Sequence, residues 1–376
     1  MMTKYSVYFW EPELSPHKLP LFKELLDHPR ISHATYIAEA DLNTTRKREG
    51  WQVSTGRELP IILGPSAEQV ETIVANSPND AIHIFSGMRW VPCIVNGLRA
   101  VVKHRRRFGL LHEPRVLEGI GGVARLGHSW LTERPLRRNA NFVLAIGSHG
   151  PRWFRLTGYP NERIFPFAYF LSEPPVPGTK LQIGGGSAPV VTFLGRLEKL
   201  KGIHLFLNAI DKVENEARFY VAGFGTWSSH VEKARETHQN LQFAGPIKMT
   251  EVPSLLASTD VLVLPSITMD DGWGAVISEA LMAGAAVVAS HKVGASMCLA
   301  DRTRGRVVRQ LSGSEVARAI DDIIDDGLLQ PNFRKVRADW ANKHLTQVAG
   351  ADYLIKIFDC TFLGKSRPNS FVLEHD

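Results

Sequence analysis

V-L-V-L-P-S-I-T-M-D-D-G-W-G-A-V-I-S-E-A-L-M-A-G-A-A-V-V-A-S, Val261 to Ser290, runs from an unbroken apolar stretch through a glycine-rich turn into an apolar helical stretch and out into a second apolar run. Val261 to Ser266 has the composition of a strand buried on both faces, as in a parallel sheet; Ala285 to Ser290 and then Val293 to Ala295 follow the helix. The unit is strand, loop, helix, strand. In such sheets ligands gather at the carboxyl ends of the strands, which is where Pro265 to Gly274 falls. Gly272 and Gly274 let backbone approach a ligand closely, and the free N–H groups of a helix start favour an anion. Glu279, in the helix's second turn, is a lone carboxylate among Val276, Ile277, Ala280 and Leu281. An ordinary buried helix explains the apolar residues but leaves that charge in costly surroundings. A ligand whose paired sugar hydroxyls donate to Glu279 gives the charge a reason.

Upstream, V-V-T-F-L-G-R-L-E-K-L-K-G-I, Val190 to Ile203, ends a second strand at Gly195-Arg196 and sets Lys201 five residues later, before the helical G-I-H-L-F-L-N-A-I. One Arg and one Lys at a strand end suit a diphosphate: the guanidinium fork grips two oxygens and the ammonium adds a compact charge. Either cation alone reads as a solvated surface charge.

Further stretches extend the pattern: F-Y-V-A-G-F-G (Phe219 to Gly225), F-A-G-P-I (Phe243 to Ile247) and S-T-D-V-L-V-L-P-S (Ser258 to Ser266). With L-G-R-L-E-K-L-K-G (Leu194 to Gly202) and D-G-W-G-A-V-I-S-E-A-L-M-A-G (Asp271 to Gly284), they resemble in order and spacing the donor domain of the retaining, nucleotide-sugar-dependent glycosyltransferases of the GT-B fold, family four, group 1 type. The resemblance spans residues 188 to 310 and thins before them, where its cues are S-P-H-K (Ser15 to Lys18), L-L-H-E-P (Leu110 to Pro114) and N-F-V-L-A-I-G-S (Asn141 to Ser148). It implies an α/β GT-B fold of two Rossmann-like domains facing across a cleft, and a retaining hexosyl- or glycosyltransferase.

The resemblance places Arg196 and Lys201 on the donor diphosphate and Glu279 on the nucleotide ribose. The backbone of Gly272, Trp273, Gly274 and Ala275 would contact phosphate and donor sugar, while Gly195, Gly223, Gly225, Pro246 and Ile247 would border the nucleotide. The first acid of the family's paired-glutamate signature is here Asp271, with Asp270 beside it. Aspartate is one methylene shorter, so its reach to the donor sugar hydroxyls differs, and the aspartate pair offers compensation. Arg196, Lys201 and the helix start offset the charge of the departing diphosphate, so no metal and no cofactor are required, the nucleotide-diphosphate sugar being a co-substrate. Retention by front-face attack, with the leaving phosphate helping to take the acceptor proton, comes from the resemblance alone. Two other readings stay open: a nucleotide-sugar epimerase, and a catalytically inactive nucleotide-sugar-binding scaffold.

A chain of 376 residues, 44% hydrophobic and 22% charged, has room for two ordinary globular domains. Cys93, Cys298 and Cys360 are far apart and odd in number, which points to a reducing compartment and gives neither metal spacing nor a disulfide framework. M-M-T-K-Y-S-V-Y-F-W has no signal-peptide pattern, and no apolar run reaches the roughly 18 residues of a membrane span. The expected location is cytoplasmic, with a peripheral position on the cytoplasmic membrane as one reading. E-P-E-L-S-P after the first strand carries no G-x-G-x-x-G, which disfavours a dehydrogenase. A sequence pI near 9.2 invites nucleic acid, yet no recognition motif accompanies it, so nucleic acid is not an expected partner.

Along the chain, Tyr5–Trp10, His33–Ala38, Ile61–Leu63, Ala81–Phe85, Arg107–His112, Phe142–Ile146 and Ile164–Pro166 read as strands, with helices at Pro20–Leu26, Ala67–Asn76 and Val91–Lys103. The expected organisation is an acceptor-side Rossmann-like domain at 1–171, a proline- and glycine-rich linker at 172–187, a donor domain at 188–345, and at 346–376 an amphipathic helix returning to the first domain, then a tail. The linker's Gly184-Gly185-Gly186 is no phosphate loop, because no Gly-Lys-Ser follows.

The first domain must receive the acceptor, a saccharide or a lipid-linked sugar. His112 and Glu113 end the strand R-F-G-L-L; one reading has them facing the reacting sugar in a catalytic role, the other has a histidine merely capping a strand. Ser15, Pro16 and His17 after the first strand, and Glu118, Gly121 and Gly122 in a following loop, are further acceptor-side candidates. Lys103, Arg105, Arg106 and Arg107, with Arg134, Arg137 and Arg138, form either a face for an anionic membrane or solvated helix ends.

Overall fold

The computed structural model describes residues 3–42, 59–173, 187–269 and 271–373. Its contacts divide the chain into two compact units, one of Met1–Ser172 with Gln347–Asp376 and one of Glu173–Thr346. The expected linker, 172–187, falls almost wholly outside the described residues, as does Asp270.

In the first unit seven parallel strands follow the order β3-β2-β1-β4-β5-β6-β7. They are β1 (Tyr5–Glu13), β2 (Ile31–Ala40), β3 (Ile61–Leu63), β4 (Ile82–Ser86), β5 (Arg107–His112), β6 (Phe142–Ile146) and β7 (Ile164–Phe167). Parallel neighbours need crossovers. The helices of this part are α1 (Leu19–Asp27), α2 (Ala67–Asn76), α3 (Pro92–Lys103), α4 (Gly119–Thr132), α5 (Arg134–Asn139) and α6 (Gly150–Leu156). Alpha-helix starts here have local causes: α2 begins in a capping box of Ser66 and Gln69, and α3 has Pro92 at its first turn, where a missing N–H costs nothing. The strands β4 and β6 are buried along their whole length, as their apolar runs require.

Two sequence expectations need correction. Gly121 and Gly122 lie in α4, a helix of 14 residues, where a loop was expected; the stretch carries four glycines, which reads as irregular chain. Gly122 is tolerated because its helix runs against the preceding turn: a Cβ there would meet the Leu117 carbonyl oxygen at 2.1 Å. β1 extends to Glu13, three residues beyond Trp10, and so carries Glu11 into the sheet, where it is 1% exposed.

The second unit has a six-stranded parallel sheet in the order β10-β9-β8-β11-β12-β13. Its strands are β8 (Val190–Leu194), β9 (Arg218–Ala222), β10 (Leu241–Gly245), β11 (Val261–Leu264), β12 (Ala286–Ser290) and β13 (Gly305–Val308). Its helices are α7 (Ile203–Ile210), α8 (Ser228–Thr237), α9 (Val252–Ala257), α10 (Ala275–Met282), α11 (Gly313–Asp325) and α12 (Pro331–His344). One core layer joins α7 and α11 to the sheet through Phe193, Phe206, Val263, Val288 and Ile320. Successive strands go outward from β8 on one side and resume at β11 on the other, so the strand order reverses between β8 and β11. That is where such sheets open a crevice.

α13 (Gln347–Leu363) belongs to the first unit, where Phe358 packs edge-on to Tyr5 at 5.2 Å and beside Phe142 at 5.7 Å. The next residue, Asp359, accepts hydrogen bonds from Tyr5 Oη at 2.6 Å, Arg30 Nη2 at 2.6 Å and Lys365 Nζ at 2.7 Å. These donors hold its carboxyl well below the usual carboxylate range, against burial that opposes it. A depressed folded pKa stabilises above the ordinary aspartate value and fades as pH falls beneath it. Asp359→Ala should therefore cost about 2–3 kcal/mol at pH 7, short of a fully buried pair, and the deficit should shrink below about pH 4. Urea unfolding of both proteins across pH checks this; a deficit that does not depend on pH would assign the loss to packing instead.

Candidate functional site

The carboxyl ends of β8, β9, β10 and β11 come out on one edge of the second sheet because all four strands are parallel. Gly195 and Arg196 follow β8, Gly223 to Gly225 follow β9, Pro246 and Ile247 follow β10, and Ser266 to Gly274 follow β11. The sequence separates these groups widely; the topology makes them neighbours across the reversal of strand order.

The loops are stapled together by backbone. Leu197 N–H donates to Phe224 O at 2.7 Å, Gly195 N–H to Ala222 O at 3.1 Å, and Ile267 N–H to Leu200 O at 2.9 Å. Gly223 has φ 140°, and a Cβ on it would meet the Gly195 carbonyl oxygen at 1.8 Å. Its first duty is thus close backbone approach within the protein, a duty the sequence reading had given to ligand contact. Gly202, at φ 79°, likewise tucks beneath Pro265 O, where a Cβ would lie 2.1 Å away. On the other side, Gly294 N–H and Ala295 N–H donate to Asp271 O at 3.3 Å and Trp273 O at 2.7 Å, which fixes the path of the glycine-rich turn.

Within this frame Lys201 closes a 3₁₀ turn, Lys199–Lys201, and its ammonium is ion-paired to Asp271, whose other oxygen accepts from the Ser266 hydroxyl. Lys201 and Asp271 are 70 residues apart, and both side chains are 12% exposed. The sequence reading had sent them to different parts of a ligand; the structure brings them together. Arg196 is exposed and makes no side-chain hydrogen bond or ion pair among the described residues, with Glu198 close enough to feel its charge. Glu198 itself is taken by Thr226, whose N–H and hydroxyl donate at 3.0 and 2.6 Å and hold its carboxyl below the usual range. Ser266 and Glu198 were missed in the sequence because nothing local marks a serine or a glutamate as a loop clamp.

Gly274, at φ 88°, is the residue before α10, and Ala275 begins it, so the first N–H groups of that helix open at the turn. The Trp273 indole is 1% exposed and its Nε1–H donates to Ser278 Oγ at 3.0 Å, so the ring plugs the core and backbone alone is left to face a ligand. Glu279 sits in the second turn of α10 with its surface half-buried; its carboxylate has no partner among the described residues, and the loss of water around it pushes it up to about 7. Gly272 is buried, Pro246 exposed and Ile247 half-buried.

In the first unit the carboxyl edge gathers a second set. Glu11 accepts from Lys18 Nζ at 2.6 Å and from the Ser86 hydroxyl; burial pushes its carboxyl up, and the two donors oppose that shift. Lys18 stands 5.8 Å over the Tyr169 ring, and Tyr169 Oη donates to Glu113 Oε1 at 2.6 Å. His112 binds the Glu113 carbonyl oxygen through Nδ1, and burial, with Arg115, Lys18 and Arg89 nearby, pushes it down to about 4. It is neutral at pH 7, and an Nδ1–H donor leaves Nε2 as an acceptor. His17 lines a small pocket with Glu11, Lys18, Tyr36 and Tyr169. Ser15 serves chiefly through its backbone, its carbonyl accepting from Lys18 and Leu19 N–H at 3.0 and 2.9 Å. Glu118 stands exposed at the start of α4. The structure therefore groups His112, Glu113 and His17 with Glu11 and Lys18, which the sequence reading did not single out.

The basic stretch is largely used by the protein itself. Lys103 and His104 bind Glu71 at 2.5 and 2.7 Å, Arg106 bonds the Val74 and Ala75 carbonyls at the end of α2, and Arg107 stacks on Phe362 at 4.8 Å. Arg137 caps α4 through the Ser129 and Trp130 carbonyls. No helix among the described residues is long and apolar enough to cross a membrane.

Residues 188–326 match the family of glycosyl transferases group 1. The chain is 24% identical over 243 residues to an alpha-D-kanosaminyltransferase of Streptomyces kanamyceticus, covering 61% of this chain and 62% of that one. It is 32% identical over 163 residues to a phosphatidyl-myo-inositol mannosyltransferase of Mycolicibacterium smegmatis, covering 40% and 42%. The matches thus span less than two thirds of these curated relatives. Among solved structures, the Anabaena protein HepE in complex with UDP superposes with a TM-score of 0.73 at 16% identity, over 94% of this chain and 99% of that one. The two parallel α/β sheets, with the reversal of strand order that opens the second, are those of the GT-B fold, and within it residues 188–326 are similar to the glycosyl transferases group 1 family.

Proposed function

We propose that this protein is a glycosyltransferase that moves a sugar from a nucleoside-diphosphate donor to a hydroxyl acceptor with retention. The observation that carries the reading is that Arg196, Lys201 and the start of α10, with Glu279, which has no partner among the described residues, follow strands on either side of the strand-order reversal of the second sheet. Arg196 has its guanidinium free to fork onto a diphosphate. Lys201 carries three N–H donors, so it can keep Asp271 and still donate to phosphate. The open amides of Gly274 and Ala275 point the same way as the positive end of α10. Glu279 would accept from the ribose hydroxyls and Asp271 from the donor sugar.

The reaction these groups favour forms a bond from acceptor oxygen to anomeric carbon as the bond from that carbon to the diphosphate breaks. The negative charge grows on the departing phosphate, where two cations and the helix start are already placed, and on the same face that phosphate takes the acceptor proton. A metal ion is not part of this proposal. The acceptor would meet the carboxyl edge of the first sheet, where neutral His112 offers Nε2 and Glu113 is held by Tyr169. A saccharide or lipid-linked acceptor of a surface polysaccharide or glycolipid fits the names of relatives such as the mannosyltransferase above. The HepE complex with UDP makes uracil the first base to try. Calorimetric titration with UDP, GDP, ADP and their sugars tests the reading, followed by product analysis with and without acceptors. Donor converted without an acceptor would favour an epimerase; binding without turnover on any acceptor would favour a scaffold.

Arg196→Ala and Lys201→Ala should each lower turnover by roughly two to three orders of magnitude, the scale set by removing one preorganised group from a developing anion. Steady-state rates read this, and a chelator added to the parent enzyme should leave its rate unchanged. Strict need for a divalent ion would overturn the assignment of charge offset to these two residues.

Glu279→Gln should have opposite effects on binding and on stability. Nucleotide affinity should fall by about 1.5–3 kcal/mol, the worth of hydrogen bonds to a charged acceptor. In the free protein the raised carboxyl contributes stability that is present below its ordinary value of about 4.3 and is lost as pH rises through about 7. Glutamine has no such loss, so its advantage in melting temperature over the parent should grow from pH 5 to pH 8. Thermal unfolding at the two pH values, without nucleotide, measures it; an advantage that stays flat would mean that the Glu279 carboxyl is solvated.

Asp271→Asn tests the ion pair. Lys201 would lose its carboxylate partner while Ser266 kept a neutral acceptor, so nucleoside-diphosphate affinity should hold or rise while turnover with the sugar donor drops at least tenfold, about 1.4 kcal/mol. Equal losses in both would place Asp271 in nucleotide binding alone.

A further inference from the structure

α4 (Gly119–Thr132) is packed the wrong way round for a helix of a water-soluble surface. The side chains it buries are Gly122 and Ser129, with Leu126 half-buried against the core, while its larger apolar residues stand outside. Ile120 is 91% exposed, Val123 70%, Leu131 79% and Trp130 56%. With Ala124 and Gly127, these fall at i, i+3, i+4, i+7, i+10 and i+11, a single stripe on one face. Trp90 adds to it: its indole is 90% exposed, and its backbone is held at φ 72°, an uncommon posture for a bulky residue. It stands beside the carboxyl half of α4 because Arg89 bonds His128 at 2.5 Å, Thr132 at 2.7 Å and Glu133 at 2.8 Å. A soluble surface scatters its apolar side chains; a contiguous, ordered stripe with aromatics at its carboxyl end marks a contact face.

The charges around the stripe decide what it contacts. No Asp or Glu occurs from 119 to 132. Glu118 is exposed at the helix start, and Glu133, just past its end, is buried and already bound by Arg89 and by Tyr159 Oη at 3.2 Å. The cations are Arg125 on the helix, and Arg134 and Arg138, exposed on α5, which continues it. An apolar stripe with a basic rim is the composition of a helix lying in a headgroup layer. A two-fold dimer through the same face would set one basic rim against another, which disfavours a second copy as the occupant.

We propose that α4, with Trp90, is an interfacial helix that docks this protein on an anionic lipid bilayer, with Ile120, Val123 and Leu131 inserted and Arg125, Arg134 and Arg138 among the headgroups. The run Lys103 to Arg107 takes no part, since its side chains are mostly engaged by Glu71, α2 and Phe362. The proposal goes beyond the transfer reading and does not rest on it, because lipid binding needs neither donor nor acceptor.

The test is co-sedimentation of the full chain with phosphatidylcholine vesicles with and without phosphatidylglycerol, across a salt series. The parent should bind the anionic vesicles and release with salt. Ile120→Ser, Val123→Ser and Leu131→Ser together should lower the partition at least tenfold at every salt concentration. Arg134→Gln with Arg138→Gln should lower it on the order of fivefold per cation at low salt and flatten the salt dependence. Changing Lys103 and Arg105 to Gln should leave it unchanged. All the substituted residues are exposed, and unchanged thermal unfolding and UDP binding would confirm intact folds. Binding of the triple serine variant equal to the parent's, or no binding by the parent at low salt, would overturn the proposal. So would a parent that sediments as a dimer in solution while the triple variant is monomeric, which would make the stripe an interface between copies.

Discussion

In the second unit the loops leaving β8 and β11 are tied to each other at their base, through Ile267 N–H to Leu200 O, the tuck of Gly202 under Pro265 O, and the Lys201–Asp271 pair. The strands beneath them pair directly in parallel register, Val261 beside Val191. Since the strand order reverses there, the helices that follow, α7 and α10, depart from the edge on different routes, and a crevice follows from topology alone. What topology does not fix is where individual side chains stand in that crevice. The backbone ties do, and for that reason the positions of Arg196, of the amides of Gly274 and Ala275, and of Glu279 all depend on them.

The ion pair within this tie has a second consequence. An isolated Lys201 beside the positive end of a helix and a free arginine would be an unfavourable concentration of like charge in the ligand-free protein. Asp271 offsets it, and Ser266 orients the carboxylate by bonding its other oxygen. A donor diphosphate would then meet a Lys201 already held in place, so little reorganisation of that cation would accompany binding, which is the condition under which such a group acts most strongly on a developing charge.

Strands such as Phe142–Ile146 and Arg107–His112 were readable to the residue because short apolar runs are set there between helical stretches. The family signature, too, is local. Pairings across long separations were not legible: nothing near Lys201 names Asp271, and nothing near Glu11 names Ser86, because the sheet order that joins them is a property of the whole chain. α4 failed for the opposite reason. Its four glycines outweighed a regular apolar stripe, and that stripe faces outward, so the usual link between periodicity and core did not apply.

Buried acids elsewhere in the described chain are provided for. Glu11 has Lys18 and Ser86, Glu133 has Arg89 and Tyr159, and Asp359 has Tyr5, Arg30 and Lys365. Glu279 differs in having a carboxyl removed from water and no partner among the described residues, so that its ordinary acidity is lost. A sequence selected for stability alone would place glutamine or an apolar residue there, since the flanking Val276, Ile277 and Ala280 already supply the packing. Local disagreement with the rules of burial, on a helix whose start follows the glycine-rich turn, is the physical ground for the proposal that Glu279 meets a ligand. On that proposal, hydroxyl donors entering the site would restore the stability that the carboxylate costs the free protein, coupling the folding energetics of α10 to occupancy.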